Sequence, residues 1–150
     1  MSDSVVVDAS LALKWVLSES DSSIAIALLS KWNTANTEVI APALFIYEAT
    51  NILYRQVVTG KLTFNETKKL FTKLLSIGVV LDFSHYNDIS TQAMEFSHRF
   101  GLPAAYDAHY LALAERNQCE YWTADTRLWN AIAGKLKWVR LLSNYQPMLP

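Results

Sequence analysis

A single cysteine, Cys119, stands among 150 residues, which excludes an internal disulfide framework. One thiol fits a reducing compartment such as the cytoplasm. Neither charge dominates: 13 Lys and Arg against 14 Asp and Glu leave a formal net charge of −1. The chain is therefore not a polybasic nucleic-acid binder, and any RNA or DNA contact has to come from a local patch. No apolar run is long enough to span a bilayer. The opening Met1-Ser2-Asp3-Ser4 lacks the basic region and apolar stretch of a signal peptide. No Gly-rich phosphate loop is present, which argues against nucleotide triphosphates and dinucleotides. His85, His98 and His109 show no zinc-ligand spacing with one another or with Cys119. There is no internal repeat and no linker, so residues 1–150 read as one domain with a short tail ending in Pro147-Met148-Leu149-Pro150.

What is present is an alternation of short apolar runs with helical periodicity. Val5-Val6-Val7 reads as a strand buried on both faces. Ser10 is the expected N-cap of a helix through Leu11, Leu13, Trp15 and Val16. A second helix covers Ser22 to Trp32. Val39-Ile40-Ala41 is a second strand, and Pro42 suits the first position of a helix from Ala43 to about Val58, ending near Gly60. Thr63 and Glu66 form a capping box that opens a helix with Leu70, Phe71, Leu74 and Leu75 on one face. Gly78 breaks it before a strand at Val79-Val80-Leu81. Helices are expected from about Asn87 to Arg99 and from near Ala104, the second carrying Asp107. Glu120-Tyr121-Trp122-Thr123 is the fourth strand, a short helix runs through Leu128, Trp129 and Ile132, and Trp138-Val139-Arg140-Leu141 is the fifth strand. This alternation predicts an α/β domain with a mainly parallel sheet of about five strands flanked by helices.

In such sheets ligands bind beyond the carboxyl ends of the strands. Asp8 lies at that end of the first strand and Asp125 just past that end of the fourth. Each aspartate, Asp107 included, is singly explained as a helix cap or a partner of a helix dipole. Glu48 sits inside its helix beside Tyr47 and Ala49, with Asn51 and Arg55 on the same face. A solvated stripe would look the same. In a cleft, Asn51 would orient a carboxylate or a bound water, and Arg55 would grip a phosphate. If the fold gathers the four acids, each pair about 4 Å apart repels by about 4 kcal/mol at an effective dielectric near 20. A raised pKa or a bound cation relieves that. Hard oxygen ligands suit Mg²⁺ or Mn²⁺.

Four stretches carry a wider pattern: Val5-Val6-Val7-Asp8-Ala9-Ser10, Tyr47-Glu48-Ala49-Thr50-Asn51, Tyr106-Asp107 through Glu115, and Thr123-Ala124-Asp125-Thr126-Arg127-Leu128. In this order and spacing they resemble the PIN-domain ribonucleases and, within them, the VapC-type toxins of toxin–antitoxin pairs. The resemblance covers nearly the full length. It implies that Asp8, Glu48, Asp107 and Asp125 form an acidic cluster that binds Mg²⁺ or Mn²⁺ and activates water to hydrolyse RNA. Ser10, Asn51 and Thr123 match polar positions around that site. It also implies a cognate antitoxin protein, with the first helices as groove walls, and a homodimer. Some members carry a further acid where this chain has Arg127, which points to one well-held metal, leaves a second open, and leaves Arg127 to contact the substrate backbone.

Two other readings compete. One is a PIN-like binding or scaffold module without catalysis. The other is an acid-cluster phosphatase of the haloacid dehalogenase type, which wants an aspartate two residues after the first; Ser10 stands there instead. Lys14, Arg55, Arg116 and Arg127 are candidates to line a nucleic-acid path. The five tryptophans suit packing better than stacking on bases.

Overall fold

Three consecutive valines, with no polar side chain among them, form the middle of the sheet. In the computed structural model, which describes residues 3–147, strand β1 is Ser4–Val7 and Val5, Val6 and Val7 are all buried. Met1, Ser2 and the end of the tail after Pro147 lie outside the described residues. The chain continues through α1 (Ala9–Ala12), a 3-10 turn at Leu13–Trp15, α2 (Ser22–Thr34), β2 (Glu38–Pro42), α3 (Leu44–Val58), α4 (Phe64–Ile77) and β3 (Val80–Asp82). It ends with α5 (Tyr86–Phe100), α6 (Ala108–Asn117), β4 (Glu120–Thr123), α7 (Thr126–Ile132) and β5 (Val139–Leu141). The five strands form one all-parallel sheet in the order β3-β2-β1-β4-β5.

That order places the site. From β1 the sheet grows one way through β2 and β3 and the other way through β4 and β5. The direction of winding reverses between β1 and β4, where a crevice opens beyond the strand ends. Val7 pairs with Trp122 in the β1–β4 ladder, so Asp8 and Thr123 emerge side by side at that point. Helix α6 packs across β1, β2 and β4, and its residues Tyr110 to Ala114 have no exposed surface. Side chains alternate along β4. Tyr121 turns toward α6 and stacks on Tyr110, with ring centroids 5.6 Å apart. Trp122 turns to the other face and meets Trp32 of α2 edge-on at 6.2 Å, and Trp32 meets Trp15 in the same way. Trp15, Trp32 and Trp122 are thus core residues, and the indole N–H of Trp15 donates to the Ala25 carbonyl.

Three boundaries and one helix face differ from expectation. Asp8, not Ser10, caps α1: its carboxylate accepts the Leu11 N–H, and Ser10 lies inside the helix. Pro42 ends β2 instead of opening α3. It pairs only toward β3, beyond the end of β1, so its missing N–H breaks no ladder there. Leu75 is exposed, because it points about 100° away from the buried Leu74. Helix α6 starts at Ala108, not near Ala104. The His109 N–H that would serve Ala105 in a helix bonds the Tyr106 carbonyl, and the ring of His109 takes the Ala105 carbonyl instead.

The capping box is present in both directions. The Glu66 N–H donates to Thr63 Oγ1 and the Thr63 N–H donates to Glu66 Oε2. Gly78 ends the same helix with φ +92°, a conformation that a side chain disfavours. Thr63→Ala is expected to lower stability by about 1 kcal/mol. That is about 2–4 °C in a chain of this size, read by thermal denaturation. An unchanged melting temperature would show that α4 does not depend on its cap.

Candidate active site

Asp8 follows β1 directly and carries four hydrogen bonds on its two oxygens. Oδ1 accepts from Ser10 Oγ at 2.6 Å and from the Leu11 N–H at 3.0 Å. Oδ2 accepts from the Tyr121 hydroxyl at 2.6 Å and from Thr123 Oγ1. An ionised carboxylate has about four acceptor positions, so this one is saturated. It is only 5% exposed. Burial pushes its pKa up, and its donors pull back without cancelling the rise.

The two hydroxyls also tie the β1 and β4 ends together. Ser10 Oγ donates to Asp8 and accepts the Ala124 N–H at 3.2 Å. Thr123 Oγ1 donates to Asp8 and accepts the Asp125 N–H at 2.9 Å. Asp125 is thereby set at the head of α7, where its Oδ1 accepts from the Arg127 and Leu128 N–H groups.

Above this floor lies a cleft of about 550 Å³ lined by Glu48, Asn51, Asp107, Asp125 and Arg127 together with apolar side chains. Glu48 reaches it from the second turn of α3. Its Oε1 accepts a 2.5 Å hydrogen bond from the Tyr110 hydroxyl. Asp107 stands just before α6 and its side chain makes no capping bond. The four acids feel one another. Glu48 is pushed up to about 7, chiefly by burial; the Tyr110 bond pulls back, and the charges of Asp107, Asp8 and Asp125 add to the rise. Asp107 is pushed up to about 6 by burial and then by Asp8 and Asp125. Burial and the neighbouring carboxylates hold the Tyr110 and Tyr121 hydroxyls protonated. Among the described residues no Lys, Arg or His forms an ion pair with any of the four acids.

The structure brings Asp8, Glu48, Asp107 and Asp125 into one neighbourhood, with Ser10 and Thr123 bonded to Asp8 and with Asn51 and Arg127 in the cleft. Arg55 does not line it. Seven residues beyond Glu48, it shares the helix face but lies about 10 Å further along the axis. Lys14 is engaged elsewhere, by Glu19 at 3.0 Å and Asp21 at 2.8 Å, and Arg116 faces Asp88. Sequence reasoning missed Tyr110 and Tyr121. Their signal was a tyrosine inside each of two buried runs, since a buried phenol needs a partner for its hydroxyl. A larger cavity of about 890 Å³ opens at the amino-terminal ends of β1 and β4, near Ser4 and Cys119, and none of the four acids lines it.

The donor set is hard, all carboxylate oxygen, and among the described residues no basic side chain is ion-paired with it, which is the chemistry a divalent cation fits. The arrangement is not yet that of a closed site. Among the described residues no three His, Cys, Asp or Glu side chains are grouped so as to hold an ion. Asp8 is saturated and Glu48 is held by Tyr110, so an ion has to compete with those donors.

Comparison with known proteins agrees with this architecture. PAE2754 from Pyrobaculum aerophilum superposes with a TM-score of 0.67 at 23% identity, over 95% of this chain and 86% of that one. FitAcB from Neisseria gonorrhoeae gives 0.68 at 16% identity, over 94% and 99%. VapC20 from Mycobacterium tuberculosis, a Sarcin-Ricin loop cleaving toxin, gives 0.61 at 14% identity, over 97% and 99%. No curated protein sequence matches the chain. At these identities the structural likenesses carry the fold. The model of the PIN domain matches residues 5–135, a span that takes in β1 with Asp8, β4 with Asp125 and everything between, and the chain belongs to the PIN-domain family.

Proposed function

We propose that this chain is a divalent-metal-dependent endoribonuclease and the toxin of a toxin–antitoxin pair. The observation that carries the reading is an acidic cleft whose acids form no ion pair among the described residues: Glu48, Asp107 and Asp125 line it, Asp8 lies beneath, and Glu48 and Asp107 are raised to about 7 and about 6. Asp107, Glu48, Asp125 and Asp8 are the residues that would hold Mg²⁺ or Mn²⁺. When bound, such an ion supplies charge neutralisation at the phosphoryl group and a lowered pKa for water.

The protein's own contributions follow from its contacts. Ser10, Thr123 and Tyr121 fix Asp8. The Tyr110 hydroxyl fixes Glu48, a carboxylate placed to accept a proton from attacking water. Asn51 lies one helical turn from Glu48 and orients the carboxylate or the water. Arg127 meets the RNA backbone inside the cleft, and Arg55 meets a phosphate further along α3. Arg127 occupies the place of a further acid, which favours a single metal. No covalent nucleophile is invoked. The PIN fold and its likeness to VapC20 support RNA as substrate and an antitoxin protein as partner. Homodimerisation and a cytoplasmic location belong to the same reading. Among the described residues no helix is long and apolar enough to cross a membrane.

A binding module without catalysis draws on one observation, the absence of three acids already grouped for an ion among the described residues. The phosphatase reading loses ground, because the residue two beyond Asp8 is a serine engaged in holding Asp8. Purified protein is expected to cut RNA with unpaired segments in Mn²⁺ or Mg²⁺, to stop on chelation and to resume when metal is restored. RNA left whole with both metals would sink the enzyme. RNA bound but uncut would establish the module, and phosphate released from a small ester with RNA intact would establish the phosphatase.

A further inference from the structure

Tyr47 and Tyr106 each immediately precede an acid of the cleft, Glu48 and Asp107 respectively, and both line that cleft. Their rings are left in solvent, 69% and 67% exposed, while the residues on either side of each are half-buried. Other exposed aromatics lie elsewhere: Phe83 and Tyr86 flank the loop after β3, and Tyr54 and Phe64 border a groove between α3 and α4. Among the described residues, Tyr47 and Tyr106 are the exposed large apolar side chains that share a cleft with the acids. Scattered exposed aromatics are ordinary on a protein surface. Two of them over one polar cluster, reached from two different elements, are a feature of the cleft.

The charge of the cleft says what the rings are for. Among the described residues that line it, Arg127 is the one basic side chain, against Glu48, Asp107 and Asp125. A nucleic acid cannot be held there by a row of phosphate contacts, the usual source of affinity. The remaining walls, Leu44, Leu102 and Pro103 among them, are apolar. Such walls repel phosphate and suit the faces of bases. We propose that Tyr47 and Tyr106 form a stacking clamp for unpaired nucleotides, gripping the bases on either side of the phosphate that lies over the acids. The clamp rests on the ribonuclease reading and adds to it two residues that hold the substrate, Tyr47 and Tyr106; bases inside a duplex present no face to a side chain, so the probe is an unpaired strand.

Stacking on one aromatic ring contributes a factor of about 5 to 150 in binding. The test uses the full chain, an unstructured fluorescent RNA oligonucleotide and Mn²⁺. Tyr47→Ala and Tyr106→Ala are each expected to raise KM within that range and to leave kcat within about twofold, because the loss is in binding and not in the chemical step. Tyr47→Phe and Tyr106→Phe keep the ring and are expected to stay near wild type. Both positions are exposed, so the melting temperature moves by no more than about 2 °C.

Fluorescence anisotropy of the same oligonucleotide in EDTA reads the clamp without any cleavage, with the same expected losses for the alanine variants. If wild type binds and the alanine variants do not, yet no RNA is cut, the clamp stands and the enzyme reading falls. Unchanged KM and Kd in the double alanine variant overturn the clamp, even if that variant escapes inhibition by a protein partner. So do phenylalanine variants as weak as the alanine ones, which would assign the effect to the hydroxyls.

Discussion

Asp107→Asn is expected to lower the rate of RNA cleavage by about two to three orders of magnitude and, in metal-free protein at pH 8, to raise the melting temperature. The two effects have one cause. Asp107 lies half-buried beside Asp8 and Asp125, makes no capping bond, and is raised to about 6. The positive end of α6 favours a charge there by about 0.3–1 kcal/mol. That the carboxyl is nevertheless raised shows that burial and repulsion win. Asparagine has the same shape and no charge, so the repulsion goes. After allowance for screening of its exposed part, the gain is on the order of 1 kcal/mol, or about 2–4 °C. The gain shrinks as pH falls below about 6 and is gone below about pH 4, where the carboxyl is protonated in the unfolded chain as well. A destabilised active site of this kind is a common form of the trade between stability and function. Activity above about a tenth of wild type would remove Asp107 from the machinery. A lower melting temperature at pH 8 would show that Asp107 is not under repulsion.

Much of this architecture was legible because local and global signals agree. Val5-Val6-Val7 has no polar face, so it can only be a strand covered on both sides, and it is the central one. Thr63 and Glu66 announce α4, and Gly78 and Gly101 announce two helix ends. Misplaced boundaries fall where a side chain competes for backbone groups. Asp8 took the cap that Ser10 was expected to supply, and the His109 ring took a carbonyl that would have begun α6 earlier. Periodicity reports which face is apolar and is silent on such local exchanges.

For the site, the sequence supplied the acids, and the resemblance added Ser10, Asn51 and Thr123 around them, but neither supplied Tyr110 or Tyr121. Asp8 and Asp125 follow parallel strands, and strand order alone makes neighbours of them. Glu48 could be suspected from its apolar setting. Its partner Tyr110 lies 62 positions away, and the Asp8 donors Tyr121 and Thr123 lie 113 and 115 away. No local pattern encodes such a pairing. It follows from the registers of β1 with β4 and from the seating of α6 on the sheet. Arg55 shows the converse: sharing a helix face with Glu48 says nothing of distance along the axis, and the cleft stops short of it.

The melting temperature of the metal-free protein is expected to fall as pH rises from 5 to 8, and Mn²⁺ is expected to reverse that slope. Glu48 and Asp107 are raised in the folded protein to about 7 and about 6, from 4.5 and 3.8. Between these limits the folded state holds more protons than the unfolded one, so stability declines with pH. The contribution is whole below about pH 4 and is lost as pH rises through 6 and 7. A carboxylate held by a salt bridge would give the opposite sign. Lys14 does not interfere, since its raised pKa acts in the alkaline range. A cation binds the deprotonated acids, so its affinity grows over the same interval. At a hundred times its Kd it adds about 2.7 kcal/mol, about 5–10 °C here; at pH 5 protons compete and the gain shrinks. Denaturation curves from pH 5 to 8, in EDTA and in millimolar Mn²⁺, should therefore diverge with pH. The double variant Glu48→Gln, Asp107→Asn should flatten both, because it removes the protons and the ligands together. If Mn²⁺ leaves wild type unmoved at pH 8, the cleft holds no metal. If stability in EDTA climbs with pH, the acids are relieved by something other than protons, and the free cation would no longer be the partner that the cleft lacks.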